Sequence, residues 1–177
     1  MDEADKIWRD ALGEFGQAVV ERAQRNLGAE RMVKGKKRRS VATGNLKDSL
    51  SFMRVPINAP TNVVFFAKGS AAKYADVVEK GRRPGRRMPP PDAIARWMEV
   101  KRIRPRSKSG GFEKSTPAKR KSMAFLIARS IGKKGIPGTF YFSDALRDEL
   151  EASGQKLADA FAKTAAAQIE LRNVAAK

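Results

Sequence analysis

The chemistry open to this chain is bounded first by two absences. Neither cysteine nor histidine occurs among its 177 residues, which removes disulfides, thiolate nucleophiles, Cys-based zinc sites, Ser-His arrangements and the side chain that most often moves protons near neutral pH. Carboxylates and lysines remain. Asp76, Glu79, Asp92 and Glu99 are scattered, and Asp92 and Glu79 read as the start and the end of short helices rather than as an acid-base pair. The stretch GKKGIPG (132–138) has the glycines of a phosphate-cradling loop. It lacks the G-x-x-x-x-G-K-[ST] spacing and the strand-to-helix setting that surround phosphate with backbone amides. The residues therefore point to no catalytic, cofactor or metal site, and the expectation is a protein that is not an enzyme.

Positive charge is the abundant resource. The chain carries 37 Lys and Arg against 19 Asp and Glu, a net +18. Residues 1–30 carry net −3, residues 31–134 net +22 and residues 135–177 net −1, so the excess lies in the middle and predicts attraction to polyanions without specifying a fold. It is gathered in clusters at 31–39, 80–87, 102–108 and 119–121. The candidate partner-binding residues are Lys34, Lys36, Lys37, Arg38, Arg39, Arg82, Arg83, Arg86, Arg87, Arg104, Arg106 and Lys108. Phe112 joins them, because it follows Gly110 and Gly111 in a polar stretch with no evident core and suits insertion into a neighbour. A charge cluster is most often solvated surface; if phosphates were its partner, each contact would steepen the salt dependence of binding. Tyr74, Trp97 and Phe112 are too sparse for a base-stacking platform, and Trp97 reads as a core residue.

Elements must hold these residues in place. Trp8, Leu12, Phe15, Val19, Ala23 and Leu27 recur at steps of three and four, which predicts one long amphipathic helix from about Asp2 to Leu27 with Gly28 as its stop. RMVKGKKRRSVATGN (31–45) has no period and dense like charge, so it reads as a mobile basic loop over about 31–43. SLSFMRV (49–55) and NVVFFAK (62–68) read as two antiparallel strands. In the ATGNLKDSL stretch before them, Gly44 suits a positive φ, Asn45 suits a cap, and Leu46 and Leu50 lie one turn apart. A short helix follows, with Ser70 as its cap and Gly81 as its stop. The next opens near Asp92, another spans Ala118 to Ile131 with Met123, Leu126, Ile127 and Ile131 inward, and 104–117 between them reads as a second mobile basic loop. TFYF (139–142) reads as a short strand, and Ser143 and Asp144 start a last helix with Leu146, Leu150, Leu157, Phe161 and Ile169 as its apolar stripe.

The fold class that results is α+β: a small, mainly antiparallel sheet packed against long N-terminal and C-terminal helices, in a single domain over residues 1–177. No stretch approaches the ~18 apolar residues of a membrane span. MDEADKIWRD has acids where an export signal would be basic, so an unexported protein is expected.

Four stretches taken in order carry a resemblance. ATGNLKDSL, then KYADVVEKGRRP after a hairpin, then PPPDAIARWME, then GIPGTFYFSDAL leading into a helix, resemble the head-to-tail joining proteins of long-tailed bacteriophages, the neck or tail-completion family. The resemblance runs from Ala42 to about Leu150. It implies a structural virion protein that joins copies of itself into a ring around the DNA channel, linking the head connector to the tail without catalysis. The implied partners are further copies of the chain, connector or adaptor proteins, and tail-tube or tail-terminator proteins, with contact to packaged DNA as a further expectation and no membrane. The implied location is the virion neck, assembled in the host cytoplasm. On this reading the basic loops order when they meet a neighbour. The rival reading, from charge alone, is a basic non-specific nucleic-acid-binding protein.

Overall fold

The computed structural model describes residues 3–33, 36–39, 43–56, 61–107 and 110–175. In chain order its elements are α1 (Glu3–Gly28), β1 (Glu30–Val33), β2 (Lys36–Arg39), α2 (Asn45–Ser49), β3 (Leu50–Pro56), β4 (Thr61–Ala67), a 3-10 turn (Gly69–Ala71), α3 (Ala72–Lys80), β5 (Gly81–Arg82), α4 (Pro91–Val100), α5 (Pro117–Lys134), β6 (Ile136–Pro137) and α6 (Tyr141–Ala175). The fold is α+β. Its strands form three separate antiparallel pairs, β1 with β2, β3 with β4 and β5 with β6. The chain divides into two compact units: Met1–Ser40, Asn45–Ala75 and Phe140–Lys177 make the first, and Val41–Gly44 with Asp76–Thr139 make the second.

In the first unit α1 pairs with α6. Leu12, Phe15, Val19, Val20, Ala23 and Leu27 are all buried, as the three-four spacing predicts. Cross-helix partners fix the direction: Trp8 meets Phe161 edge to face at 5.6 Å, Lys156 bonds Glu14, Arg22 bonds Glu149, and the Asn26 amide donates to the Tyr141 carbonyl at 3.0 Å. The helices are therefore antiparallel. The β3–β4 ribbon runs in register from Leu50 opposite Ala67 to Pro56 opposite Thr61. It meets α1 where the Phe52 ring lies against Gly16, so close that a Cβ there would fall 2.5 Å from the ring. Phe65, opposite Phe52 in the register and on the same face of the ribbon, packs edge on against Phe142 of α6 at 5.1 Å.

In the second unit α4 packs on α5. Met98 is fully enclosed, and Ala124, Ala128 and Gly132 form the buried line of α5. Pro91 opens α4 at a position where the missing amide hydrogen costs nothing. Thr116 caps α5, its hydroxyl accepting from the Lys119 amide at 3.3 Å.

Several expectations need correction. The described part of 31–43 is a hairpin, with Glu30 opposite Arg39 and Val33 opposite Lys36, because backbone pairing satisfies donors and acceptors even where side-chain charge repels. TFYF is not a strand: Phe140 takes a left-handed φ of 49° and Tyr141 already begins α6, while the strand lies earlier, at Ile136–Pro137. Ser70 does not cap α3; it sits within the 3-10 turn. Trp97 is 41% exposed and Leu126 58% exposed; on α6 Leu150 and Ile169 are exposed, and Phe161 is half exposed while its ring meets Trp8. The buried line of α6 is instead Tyr141, Ala145, Glu149, Ala160 and Thr164. Small residues in this buried line suit a close approach to α1, and of the bulky stripe Phe161 alone is shown reaching α1, at Trp8.

Candidate partner-binding surfaces

Charge is segregated between the two units. The second unit carries 18 basic and 5 acidic side chains, net +13, and most of the remainder, net +5, lies in residues 30–39 of the first. Ion pairs cannot absorb this. Lys80–Asp76 at 2.7 Å, Lys119–Glu113 at 2.6 Å and Arg120–Glu99 at 2.7 Å join three of the five acids to bases of the same unit. The Lys80 ammonium is held above its ordinary range, chiefly by its hydrogen bond with Asp76. Five carboxylates cannot answer eighteen cations, so solvent ions or a partner must balance the rest.

Arg82, Arg83, Arg86 and Arg87 sit on one loop with a defined frame. Gly81 and Arg82 pair with Pro137 and Ile136. The backbones are pressed together there: a Cβ on Gly81 would lie 2.4 Å from the Gly138 nitrogen, and one on Gly135 would lie 2.2 Å from the Arg82 carbonyl oxygen. Gly135 also takes φ 68° and ψ −170°, a region essentially reserved for glycine. Farther along, the Gly85 amide donates to the Gly132 carbonyl at 2.9 Å, and the Arg82 guanidinium donates to the Arg87 carbonyl. Arg83, Arg86 and Arg87 are exposed on this frame. Lys133 and Lys134, which charge counting alone did not single out, belong to the same patch, because the end of α5 lies against the backbone of Arg86 and Met88. Their signal in the sequence was the basic last turn before a glycine.

Arg104, Arg106 and Phe112 share a second feature. Residues 105–113 fold back on themselves: the Ser107 amide donates to the Gly111 carbonyl at 2.8 Å, the Glu113 amide to the Pro105 carbonyl at 3.0 Å, and Arg106 bridges to Phe112. The Arg106 guanidinium lies 5.0 Å from the Phe112 ring centroid, yet Phe112 remains 69% exposed. So within the basic loop expected at 104–117 the described residues pair 105–107 with 111–113 and present an aromatic ring beside the Arg106 guanidinium. Lys36, Lys37, Arg38 and Arg39 lie along β2, with Arg38 opposite Arg31 in the ladder. Like charges directly opposite one another destabilise a ribbon. Lys34 and Lys108 lie outside the described residues.

The ATGNLKDSL stretch does a structural job, its part from Asn45 onward belonging to the first unit. Gly44 has φ 88°, and Leu46 is buried. The Asn45 amide group donates to the Tyr74 hydroxyl at 3.1 Å and the Ser70 hydroxyl at 3.3 Å, tying α2 to the start of α3. In the second unit both the Thr139 amide and its hydroxyl donate to the Val78 carbonyl, at 3.0 and 2.8 Å. Thus the stretches around 45 and 74, and those around 78 and 139, are bonded in pairs.

Among the described residues no three acidic side chains converge to hold a metal ion, and no helix is long and apolar enough to cross a membrane. The cavities are open grooves, such as the one lined by Asp10, Gly13, Glu14, Phe52, Met53 and Arg54. No protein-family model matches the chain, and neither the curated proteins nor the solved structures give a match.

Proposed function

We propose that the chain is a structural subunit of the neck or tail-completion region of a long-tailed phage or prophage particle, joining with copies of itself into a ring between head connector and tail. The observation that carries this reading is the ordered set of four sequence stretches. Support comes from their use in the fold, since ATGNLKDSL is bonded to the start of α3 and KYADVVEKG to GIPGT, as a shared scaffold requires. Further support comes from the surface, where cationic loops stand beside large exposed apolar side chains. Such a surface suits assembly, in which charge orients the encounter and apolar anchors hold it.

The test is genetic and visual. Deleting the gene from the virus or prophage that carries it should leave filled heads and finished tails unjoined in electron micrographs, and the protein should copurify with intact particles in fixed copy number. Normal particles in its absence would end this reading. Charge segregation favours the nucleic-acid-binding alternative, which predicts instead that the isolated protein retards random duplex DNA at low salt and releases it as salt rises.

A further inference from the structure

Two features of the surface are an exposed aromatic knob and an apolar groove, with opposite charge around them. The first is the 105–113 hairpin, whose Phe112 is the most exposed of the large apolar residues in the described chain. Over 104–114 the charges are Arg104, Arg106, Lys108 and Lys114 against Glu113. The second is a groove of about 470 Å³ on the first turns of α6, lined by Phe142, Ser143, Leu146, Arg147, Leu150 and Glu151. Leu150 is 47% exposed. Here the balance is reversed: the acids Asp144, Asp148, Glu149 and Glu151 outnumber the two cations that pair with them, Arg147 and Arg22. Glu149 is buried and bonded to Arg22, Asp148 also reaches Arg22 at 3.5 Å, and Asp144 and Asp148 share Arg147 at 3.2 and 3.5 Å. Glu151 lines the groove, so the apolar floor is bordered by a helix turn with a net excess of acid.

We propose that the Phe112 hairpin of one copy docks into the Phe142–Leu146–Leu150 groove of the next. The aromatic ring fills the apolar floor, and Arg104 and Arg106 face Asp144 and Glu151. The two surfaces differ, so the contact is head to tail. Repeated head-to-tail contacts make a closed ring when the rotation closes and a filament when it does not. The choice of a second copy as occupant follows from the charge match: every copy carries both the cationic hairpin with its exposed ring and an apolar groove beside which acids outnumber cations. The inference rests on the ring-subunit reading for closure alone; the contact itself rests on the hairpin and the groove.

The lack of native cysteine makes the test clean. The double variant Gly111→Cys/Ser143→Cys, which places the thiols beside the Phe112 anchor and on the wall of the groove, mildly oxidised, should give a ladder of covalent multimers on non-reducing gels that collapses on reduction. Each single variant should stop at dimer. Both positions are exposed, and neither change removes the Phe112 anchor or the Leu146–Leu150 floor. In parallel, mass photometry of F112D should show assembly shifted to at least about tenfold higher concentration, the effect of losing a central anchor. Mixing R104E/R106E with D144R/E151R should restore association that each loses alone. If the wild-type chain assembles yet the double-cysteine variant gives no ladder, or only an internally closed monomer, this contact is wrong and the ring-subunit reading survives it. If the wild-type chain stays monomeric at every concentration, the contact is wrong and the ring reading loses its basis as well. A chain that does assemble while gene deletion leaves normal particles would keep the contact and discard the phage role.

Discussion

Gly135 shows how one residue can set the position of a charged surface. Its backbone lies in a region that side chains avoid, and its missing Cβ leaves room for the Arg82 carbonyl. Gly135→Ala should therefore lower the melting temperature through both strain and collision, the strain alone being worth ~1–3 kcal/mol. Gly85→Ala is the control: φ is 76° there, but nothing lies within 4 Å of the added carbon, so its cost should be the smaller left-handed penalty of ~1–2 kcal/mol. Thermal unfolding of the two variants checks the order, and equal losses would mean that the crowding at Gly135 is not structural. Glu149 makes the second residue-scale case. It is buried on α6, and its bond to Arg22 is the leading cause that holds the guanidinium above its ordinary range. A cation with a raised pKa contributes stability that is complete below its unfolded value and lost only as pH climbs through the raised one. For an arginine that window lies above about pH 12, so Arg22 itself adds no pH dependence to stability between pH 7 and 10. Glu149→Gln should lower the melting temperature at every pH in that range by a similar amount. A loss that grew steeply between pH 7 and 10 would contradict the ion-pair account.

Helices in this fold are shaped by how closely they must approach. Gly16 lies inside α1, where alanine would ordinarily be favoured by ~1 kcal/mol, but the Phe52 ring occupies the place of its side chain. Gly16→Ala should destabilise by about 1–3 kcal/mol as the ring is displaced, whereas Gly154→Ala on α6, with nothing within 4 Å, should stabilise by ~0.5–1 kcal/mol. Denaturant midpoints of opposite sign are the expected result. The same closeness explains what could be read in advance. The bulky spacing of α1 identified its buried face, the β-branched and aromatic runs at 49–55 and 62–68 identified the hairpin, and Gly44 was legible as a positive-φ position. The face of α6 was only partly read, because a rule that buries the largest residues chose Leu150 and Ile169, which are exposed, while Ala145, Ala160 and Thr164 are the buried ones and Phe161 meets Trp8 only at a half-exposed edge. Which stripe wins depends on the partner helix, and periodicity within one helix holds no information about that. TFYF was misread for a related reason: β-propensity favours aromatic runs, but a single left-handed residue at Phe140 turned the chain into a helix. At the candidate surfaces the clusters at 82–87 and 104–112 were visible as composition. Their frames were not, since the glycine crossing of 81 with 138 depends on residues far apart in sequence.

At the scale of the whole molecule, the question is whether net charge or local complementarity governs association. A chain of net +18 and pI about 10.6 repels its own copies at long range, and that repulsion is screened beyond ~10 Å at 0.1 M salt. Binding to duplex DNA depends on released counterions, so contacts to six to ten phosphates would lose a factor of about 10³–10⁵ between 50 and 200 mM salt. Self-assembly through an apolar anchor answers to different terms. Salt weakens the Arg104 and Arg106 pairing with the acids beside the groove, weakens the general repulsion at the same time, and leaves burial of Phe112 nearly untouched. The two electrostatic effects oppose each other, so the assembly midpoint should move by less than about tenfold over the same salt range. Sedimentation of the protein alone and mobility shifts with random duplex, run in the same buffers, compare the two slopes directly. Assembly that persists while DNA binding disappears would mark the cations as devices for orienting subunits. Assembly that collapses in parallel with DNA binding would mean that the association is itself held by bridging polyanion, and the apolar anchor would then have no role in it.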